Sequence, residues 1–369
     1  MRKKFITILT CTFMLTGCSS STEVLLPYQG NATTGNSIPP AITQETDSGV
    51  SLFAKNLCVY PVNAADKEDS VMTAEASMLV NATDQKVLFA NNIYDRVYPA
   101  SVTKIVTTML ALKYGNLSDD VTVSYNASHI TEPGATKCGL NEGDKVALGD
   151  LLYGFLLCSG NDAGIAIAEH ISGDVEAFAK LMNEETKELG CVGSNFVNPH
   201  GLHDDNHYTT TYDMYLILNE LLTNDNYKDE FIKIINSSTA TMNYKDKNDN
   251  PVSKIYNNTN RYLIGTQIMP DNITVVGGKT GTTRMAGSCL VLYSQGSDGK
   301  DYMSFVFHAD SSDSLYTQMS HLLDMIPASD SSKKKVNQNT SSPDNINDSS
   351  TDNQTAEVSD SNSQNIATE

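Results

Sequence analysis

The stretch GDLLYGFLLCSGNDAGIAIAEHI, from Gly149 to Ile171, is apolar on nearly every side of a helical wheel. A helix of that kind belongs inside a protein rather than on its surface, so the fold must surround it with other elements. Asp150 stands where an N-cap would stand. Ser159, Gly160 and Asn161 interrupt the apolar pattern midway. Buried polar residues at a break between helices need hydrogen-bond partners, which an active-site cleft supplies and a plain helix-helix turn also can.

The surrounding elements follow from their periods. ASMLVNATDQKVLFANN reads as two strands about a turn at Asn81 to Asp84. Val102, Ile105, Val106, Met109 and Leu110 fall at the spacing of a buried helical face. Further helices are predicted at VEAFAKLMNEETKELG, stopped by Gly190, and at TYDMYLILNELL after Thr211. ITVVGGKTG, SCLVLYS and YMSFVFHA are short β-rich runs, and DSLYTQMSHLLDMI is a closing amphipathic helix. Strands at both ends with helices between them predict an α+β body: one antiparallel sheet flanked by helices, with an all-α subdomain inserted in the middle.

The two ends differ from this body. MRKKFITILTCTFMLTGC has a basic start, roughly eleven mostly apolar residues and a small-residue turn, the layout of an export signal. That run falls short of the about 20 residues a membrane span needs. LTGC resembles a bacterial lipobox with Cys18 as the lipidated residue, the alternative being a soluble secreted product cleaved elsewhere. Residues 19–50 and 327–369 are rich in Ser, Thr, Asn, Asp, Gly or Pro and read as a tether and a tail, leaving 51–326 as the folded domain. Of seven cysteines, five lie in the body, without a C-x-x-C spacing, so free and mostly buried thiols are expected, with a single bridge the alternative. A net charge of -19 excludes a polyanion as natural partner, because phosphate contacts require clustered Lys and Arg.

Three short motifs carry chemistry. Ser101 and Lys104 in YPASVTKIVTTML are three apart, hence on one helical face. A serine attacks at neutral pH only with a base to take its proton, and a lysine of ordinary pKa about 10.4 is a poor one unless burial or a second cation lowers it. The apolar surroundings of Lys104 offer that burial. The second motif is CSGND, at the break described above, and the third is GGKTGTT from Gly277 to Thr283, whose glycines let a ligand approach a strand edge. A phosphate-binding loop is excluded there, because Ile273 stands where that pattern needs glycine.

Each motif alone is weak, but SVTK, SGN and KTG in that order match the set of the penicillin-recognising serine enzymes. With DLLYGFLLCSGNDAGIAIAEHISG, NFVNPHGLHDDNHYTTTYDM and GGKTGTTRMAGSCLV, the region from about Ala74 to Ala309 resembles the serine-type D-Ala-D-Ala carboxypeptidases, the low-molecular-mass penicillin-binding proteins of peptidase family S11. The resemblance implies a β-lactamase/transpeptidase-like fold and no cofactor. It implies that Ser101 is acylated by the penultimate D-alanine of a peptidoglycan stem pentapeptide and also by β-lactams. Lys104 would be the base, Ser159 the proton relay, and Asn161 the anchor of Lys104 and of the substrate amide. Lys279 and Thr280 would grip the terminal carboxylate, with Gly281 and Thr282 on the substrate-binding strand and an oxyanion hole at the amides of Ser101 and Thr282. A charged Lys279 would also depress the pKa of Lys104.

His200, His203 and His207, with Asp204 and Asp205, resemble a metal site by count, but their spacing matches no H-E-x-x-H helix and no metal is expected. Rival activities within the fold are a D,D-endopeptidase and a β-lactamase. SGN in place of SDN and the absence of an obvious E-x-x-L-N element speak against the β-lactamase. A non-enzymatic binder of wall peptides or β-lactams is a further rival. Lipidation at Cys18 would place the enzyme at the bacterial cell surface, outside the membrane, on a tether reaching on the order of 30 Å.

Overall fold

A computed structural model describes residues 57–60 and 68–328. The export signal with Cys18, the tether and nearly all of the tail lie outside the described residues. The first hairpin pairs β1 (Ala76–Asn81) with β2 (Lys86–Asn91) about the expected turn. After the short β3 (Arg96–Val97), a single 3-10 turn, Ala100–Thr103, runs directly into α1 (Lys104–Tyr114). The middle of the chain contributes β4 (Asp120–Thr122), α2 (Tyr125–Ser128), β5 (Lys145–Ala147), α3 (Leu148–Leu157), α4 (Asn161–Ser172) and α5 (Val175–Glu188). There follow β6 (Thr209–Thr210), α6 (Thr211–Thr223), α7 (Lys228–Asn236), and a hairpin of β7 (Thr239–Lys245) and β8 (Pro251–Asn257). The chain closes with β9 (Ile273–Thr283), β10 (Gly287–Gly296), β11 (Asp301–Ala309) and α8 (Ser312–Asp324).

Strands from the two ends of the domain form one antiparallel sheet in the order β2-β1-β11-β10-β9, with Ala76 opposite Phe307 and Asn81 opposite Tyr302. Side chains alternate across this sheet. Met78, Val80, Val291, Phe305 and Phe307 therefore join the larger core with α1, α3 and α6. Leu79, Leu290, Leu292 and Val306 meet Leu315, Met319, Leu322 and Leu323 of α8 on the other face. Each such fully buried aliphatic side chain contributes about 1.5–3 kcal/mol. Asp174, Thr210 and Ser311 cap α5, α6 and α8 by accepting the amides of Ala177, Asp213 and Ser314.

Two expectations are corrected. The inserted region is helical but not all-α, because β4, β5, β7 and β8 build a second, four-stranded antiparallel sheet. Its two longest strands, β7 and β8, expose most of their side chains and bury only Met242, Tyr244 and Tyr256, so their hydrophobic signal is faint. Asp150 is not the cap of α3. That helix starts two residues earlier, after Ala147, where the amides of Leu148 and Gly149 are taken by the carbonyls of Asp119 and Leu117. With its first amides satisfied by the preceding loop, the helix needs no side-chain cap.

Candidate active site

The three motifs arrive at one cleft from three elements. Pro99 and Ala100 lead into the 3-10 turn that carries Ser101, and the first residue of α1 is Lys104. The break between α3 and α4 carries Ser159 in a left-handed backbone conformation (φ 63°), then Gly160, and Asn161 is the first residue of α4. Edge strand β9 carries Lys279 to Thr282. Ser101, Ser159, Thr280, Gly281 and Thr282 line a cleft of about 270 Å³, together with Thr136, Thr259, Arg261 and Tyr316.

Lys104 is wholly buried, and its Nζ lies 3.0 Å from Ser101 Oγ, 2.7 Å from Asn161 Oδ1 and 2.7 Å from the carbonyl oxygen of His200. Asn161 Oδ1 and the carbonyl accept only, so they take two N–H bonds. Ser101, at the third position around the nitrogen, is the one partner whose hydroxyl can donate as well as accept. That arrangement suits a neutral amine with its lone pair toward the serine hydroxyl. Burial, followed by the charge of Lys279, holds the Lys104 amine well below the ordinary lysine range. The Phe155 ring, 5.4 Å from Nζ, completes the apolar enclosure.

Lys279 is also buried, donates to the carbonyl of Thr280 at 2.9 Å, and is pushed down to about 7 by its burial. The influence of its charge on Lys104 supplies the second cation that the sequence expected. Gly281 permits the close passage of β9: a Cβ there would stand 3.0 Å from the amide nitrogen of Ser101 and 2.9 Å from the carbonyl of Pro99. The strand thus runs alongside the Ser101 amide.

The histidines do not converge on an ion. His207 accepts from the amide of Val197 on Nδ1 and meets Thr103 Oγ1 at 2.7 Å with Nε2, so both ring nitrogens are used. Burial lowers its pKa to about 4. His200 accepts the Leu202 amide on Nδ1 and serves the site through its carbonyl, while His203 pairs with Asp205 at the surface. Among the described residues no group of three or more His, Cys, Asp or Glu could hold a metal ion. Arg261 reaches the cleft rim, held by Asp313 at 2.7 Å and lying over the Tyr316 ring, whereas Arg284 sits exposed at the turn after β9.

Sequence reasoning did not find Thr136, Thr259, the His200 carbonyl or Asp162. Thr136 lies in a loop without regular structure, and its carbonyl accepts the amide of Asn161 at 2.8 Å. Asp162 is the last residue of CSGND and binds that loop with both carboxylate oxygens. A backbone acceptor such as the His200 carbonyl leaves no side-chain signal at all.

Residues 62–311 match the family model described as D-alanyl-D-alanine carboxypeptidase. The chain is 33% identical over 281 residues to D-alanyl-D-alanine carboxypeptidase DacF of Bacillus subtilis, covering 73% of this chain and 67% of that one. It is 33% identical over 259 residues to D-alanyl-D-alanine carboxypeptidase DacA of Haemophilus influenzae, covering 68% and 62%. It thus spans about two thirds or less of the length of these relatives. The fold is similar to the crystal structure of penicillin binding protein 5 from Haemophilus influenzae, with a TM-score of 0.60 and 31% identity over 71% of this chain and 72% of that one. The sheet flanked by helices is thus the β-lactamase/transpeptidase-like fold expected from the motifs.

Proposed function

The chain belongs to the D-alanyl-D-alanine carboxypeptidase family, peptidase family S11, and on that premise we propose that it is a serine-type peptidase removing the terminal D-alanine from peptidoglycan stem pentapeptides. The observation that carries this reading is the contact of Ser101 Oγ with a buried Lys104 amine whose two other partners are acceptors. Ser101 attacks the carbonyl of the penultimate D-alanine while its proton passes to Lys104. The amides of Ser101 and Thr282 stabilise the oxyanion, which the close approach of β9 to the 3-10 turn supports. When the C–N bond breaks, Ser159 hands the proton to the leaving amine. Water then attacks the acyl-enzyme, releasing the shortened peptide and restoring Ser101.

The substrate lies along β9 as an added strand, since β9 is the last strand of its sheet, and its terminal carboxylate meets Lys279 and Thr280. A β-lactam enters the same steps as far as the acyl-enzyme. The protein acts outside the cytoplasmic membrane, held there by lipid on Cys18, and a Cys18→Ser protein should then leave the membrane fraction. Mass spectrometry after penicillin should find the adduct on Ser101, and a synthetic pentapeptide should yield D-alanine. No adduct and no released D-alanine would sink the enzyme reading. Rapid turnover of penicillin without peptide cleavage would mean a β-lactamase, and cleavage of cross-linked dimers alone a D,D-endopeptidase.

A further inference from the structure

Next to the cleft two thiols face each other, and nothing in the proposed reaction uses them. Cys138 Sγ and Cys158 Sγ are 3.5 Å apart. Cys158 ends α3, immediately before Ser159, and is half-buried. Cys138 lies in the loop that walls the cleft, two residues beyond Thr136, and is buried. The Cys138 backbone is held. The Cys138 amide donates to Asp162 Oδ1 at 2.7 Å and its carbonyl accepts from the Tyr256 hydroxyl at 2.9 Å. Only glycines leave room for the Cys138 sulfur, which would lie 2.2 Å from a Cβ at position 160 and 2.8 Å from one at 154.

The structure assigns this pair as a modification site: a hydroperoxide oxidises Cys138 and Cys158 to a cystine that ties the cleft wall to the Ser159 turn and slows acylation of Ser101. The two sulfurs have unequal parts. The hydrogen bond from Cys138 lowers the Cys158 pKa and the Lys279 charge assists, while Cys138 is raised and keeps its proton. Cys158, the less buried of the two, is the sulfur a peroxide reaches, and it attacks as the thiolate once the proton it donates to the Gly154 carbonyl at 3.1 Å is lost. Its sulfur bonds to one peroxide oxygen as the O–O bond breaks, giving a sulfenic acid and hydroxide, or an alkoxide from an organic peroxide. The Cys138 sulfur then attacks the Cys158 sulfur. An S–S bond forms, the S–O bond breaks, and the departing hydroxide leaves as water with the Cys138 proton. Two thiols lose two electrons and the peroxide gains them; an external dithiol reverses the step by exchange.

The other described thiols are unsuited to this chemistry. Cys58 and Cys289 are buried and pushed up to about 11 and about 12 by that burial, and Cys191 is buried and raised as well. Closing 3.5 Å to a covalent bond of about 2.05 Å draws the wall loop and the Ser159 turn together across Gly160. The Ser159 hydroxyl moves with the turn. A displacement of about 1 Å in a reacting constellation costs up to about a hundredfold in rate, so acylation should slow tenfold or more.

The full-length chain, before and after hydrogen peroxide, should be peptide-mapped and its acylation by a fluorescent penicillin timed. The expected result is a Cys138–Cys158 link forming ahead of oxidation at Cys58, Cys191 and Cys289, with acylation at least tenfold slower and recovering in dithiothreitol. In Cys138→Ser protein, oxidation should stop at a sulfenic acid on Cys158 and acylation should no longer slow by that factor. The proposal is overturned if no link forms, if all five thiols oxidise alike, or if the linked protein is acylated at the original rate. The rate arm rests on the function proposed above, whereas the mapping does not. Protein that never reacts with penicillin would count against that function, and the link would still decide the modification site.

Discussion

Gly201 lies so close to Ala100 that a Cβ at position 201 would stand 1.7 Å from the Ala100 carbonyl oxygen. Gly201 has φ +86°, and Ala100, the residue before Ser101, itself has φ 46°. The turn after His200 is therefore the support on which the nucleophile's strained approach rests. The same turn supplies the His200 carbonyl to Lys104. One loop thus sets both partners of the Ser101–Lys104 pair.

Gly201→Ala should consequently damage the site more than the fold. The clash is with backbone and the φ is unfavourable for alanine, so Ala100 must move and take Ser101 with it. Acylation by a fluorescent penicillin should fall by at least tenfold, and thermal unfolding should show a loss of about 1–3 kcal/mol. Unchanged acylation would show that the turn does not position Ser101.

Lys104→Met keeps the length and apolar fit of the side chain but removes the nitrogen. Asn161 Oδ1 and the His200 carbonyl then lose a donor, yet no buried charge is stranded, and the protein should still fold. Acylation of Ser101 should drop by about 10²–10⁴, the range for loss of a general base. Circular dichroism and the acylation rate, measured on one preparation, separate this from misfolding.

The two lysines predict a pH profile with opposed limbs. In the proposed mechanism Lys104 works as the neutral amine, so kcat/KM should rise with pH as it loses its proton, a limb displaced well below the ordinary lysine range. On the same proposal Lys279 holds the substrate carboxylate only when charged, so kcat/KM should fall as pH rises through its value of about 7. Bound substrate carboxylate favours the charged form, so the falling limb should move upward in kcat compared with kcat/KM. Activity on a pentapeptide rising steadily to pH 9 would contradict the role of Lys279.

Much of this site was legible because its chemistry is local. Ser101 and Lys104 are one helical turn apart, and Ser159 to Asn161 fill a visible break in an apolar run, so spacing marks both as candidates, each weak alone. Their convergence with Lys279 was legible only from the ordered set of motifs, since residues so distant in sequence meet through the packing of β9 beside the 3-10 turn. The second sheet was hidden because β7 and β8 expose most of their side chains. The start of α3 was misplaced because loop carbonyls, which have no sequence signature, satisfy its first amides.

Asp162 was hidden for a related reason: four of its partners are backbone amides. Oδ1 accepts the amides of Cys138 at 2.7 Å and Ala163 at 3.0 Å, and Oδ2 those of Gly139 at 2.8 Å and Leu140 at 3.0 Å. The side chain is buried, and its neighbour Asn161 both contacts Lys104 and donates its amide to Thr136 of the same loop. Asp162 therefore fastens the cleft wall to the helix that orients Lys104. Asp162→Ala would leave the three loop amides without an acceptor, at about 1–3 kcal/mol for each one that stays buried. Loosening the wall should weaken substrate placement more than proton transfer, because the Ser101–Lys104 contact does not pass through the loop. KM for a pentapeptide should rise at least fivefold, with kcat falling by a smaller factor. A kcat that collapses at unchanged KM would instead place Asp162 in support of Asn161 and the chemistry itself.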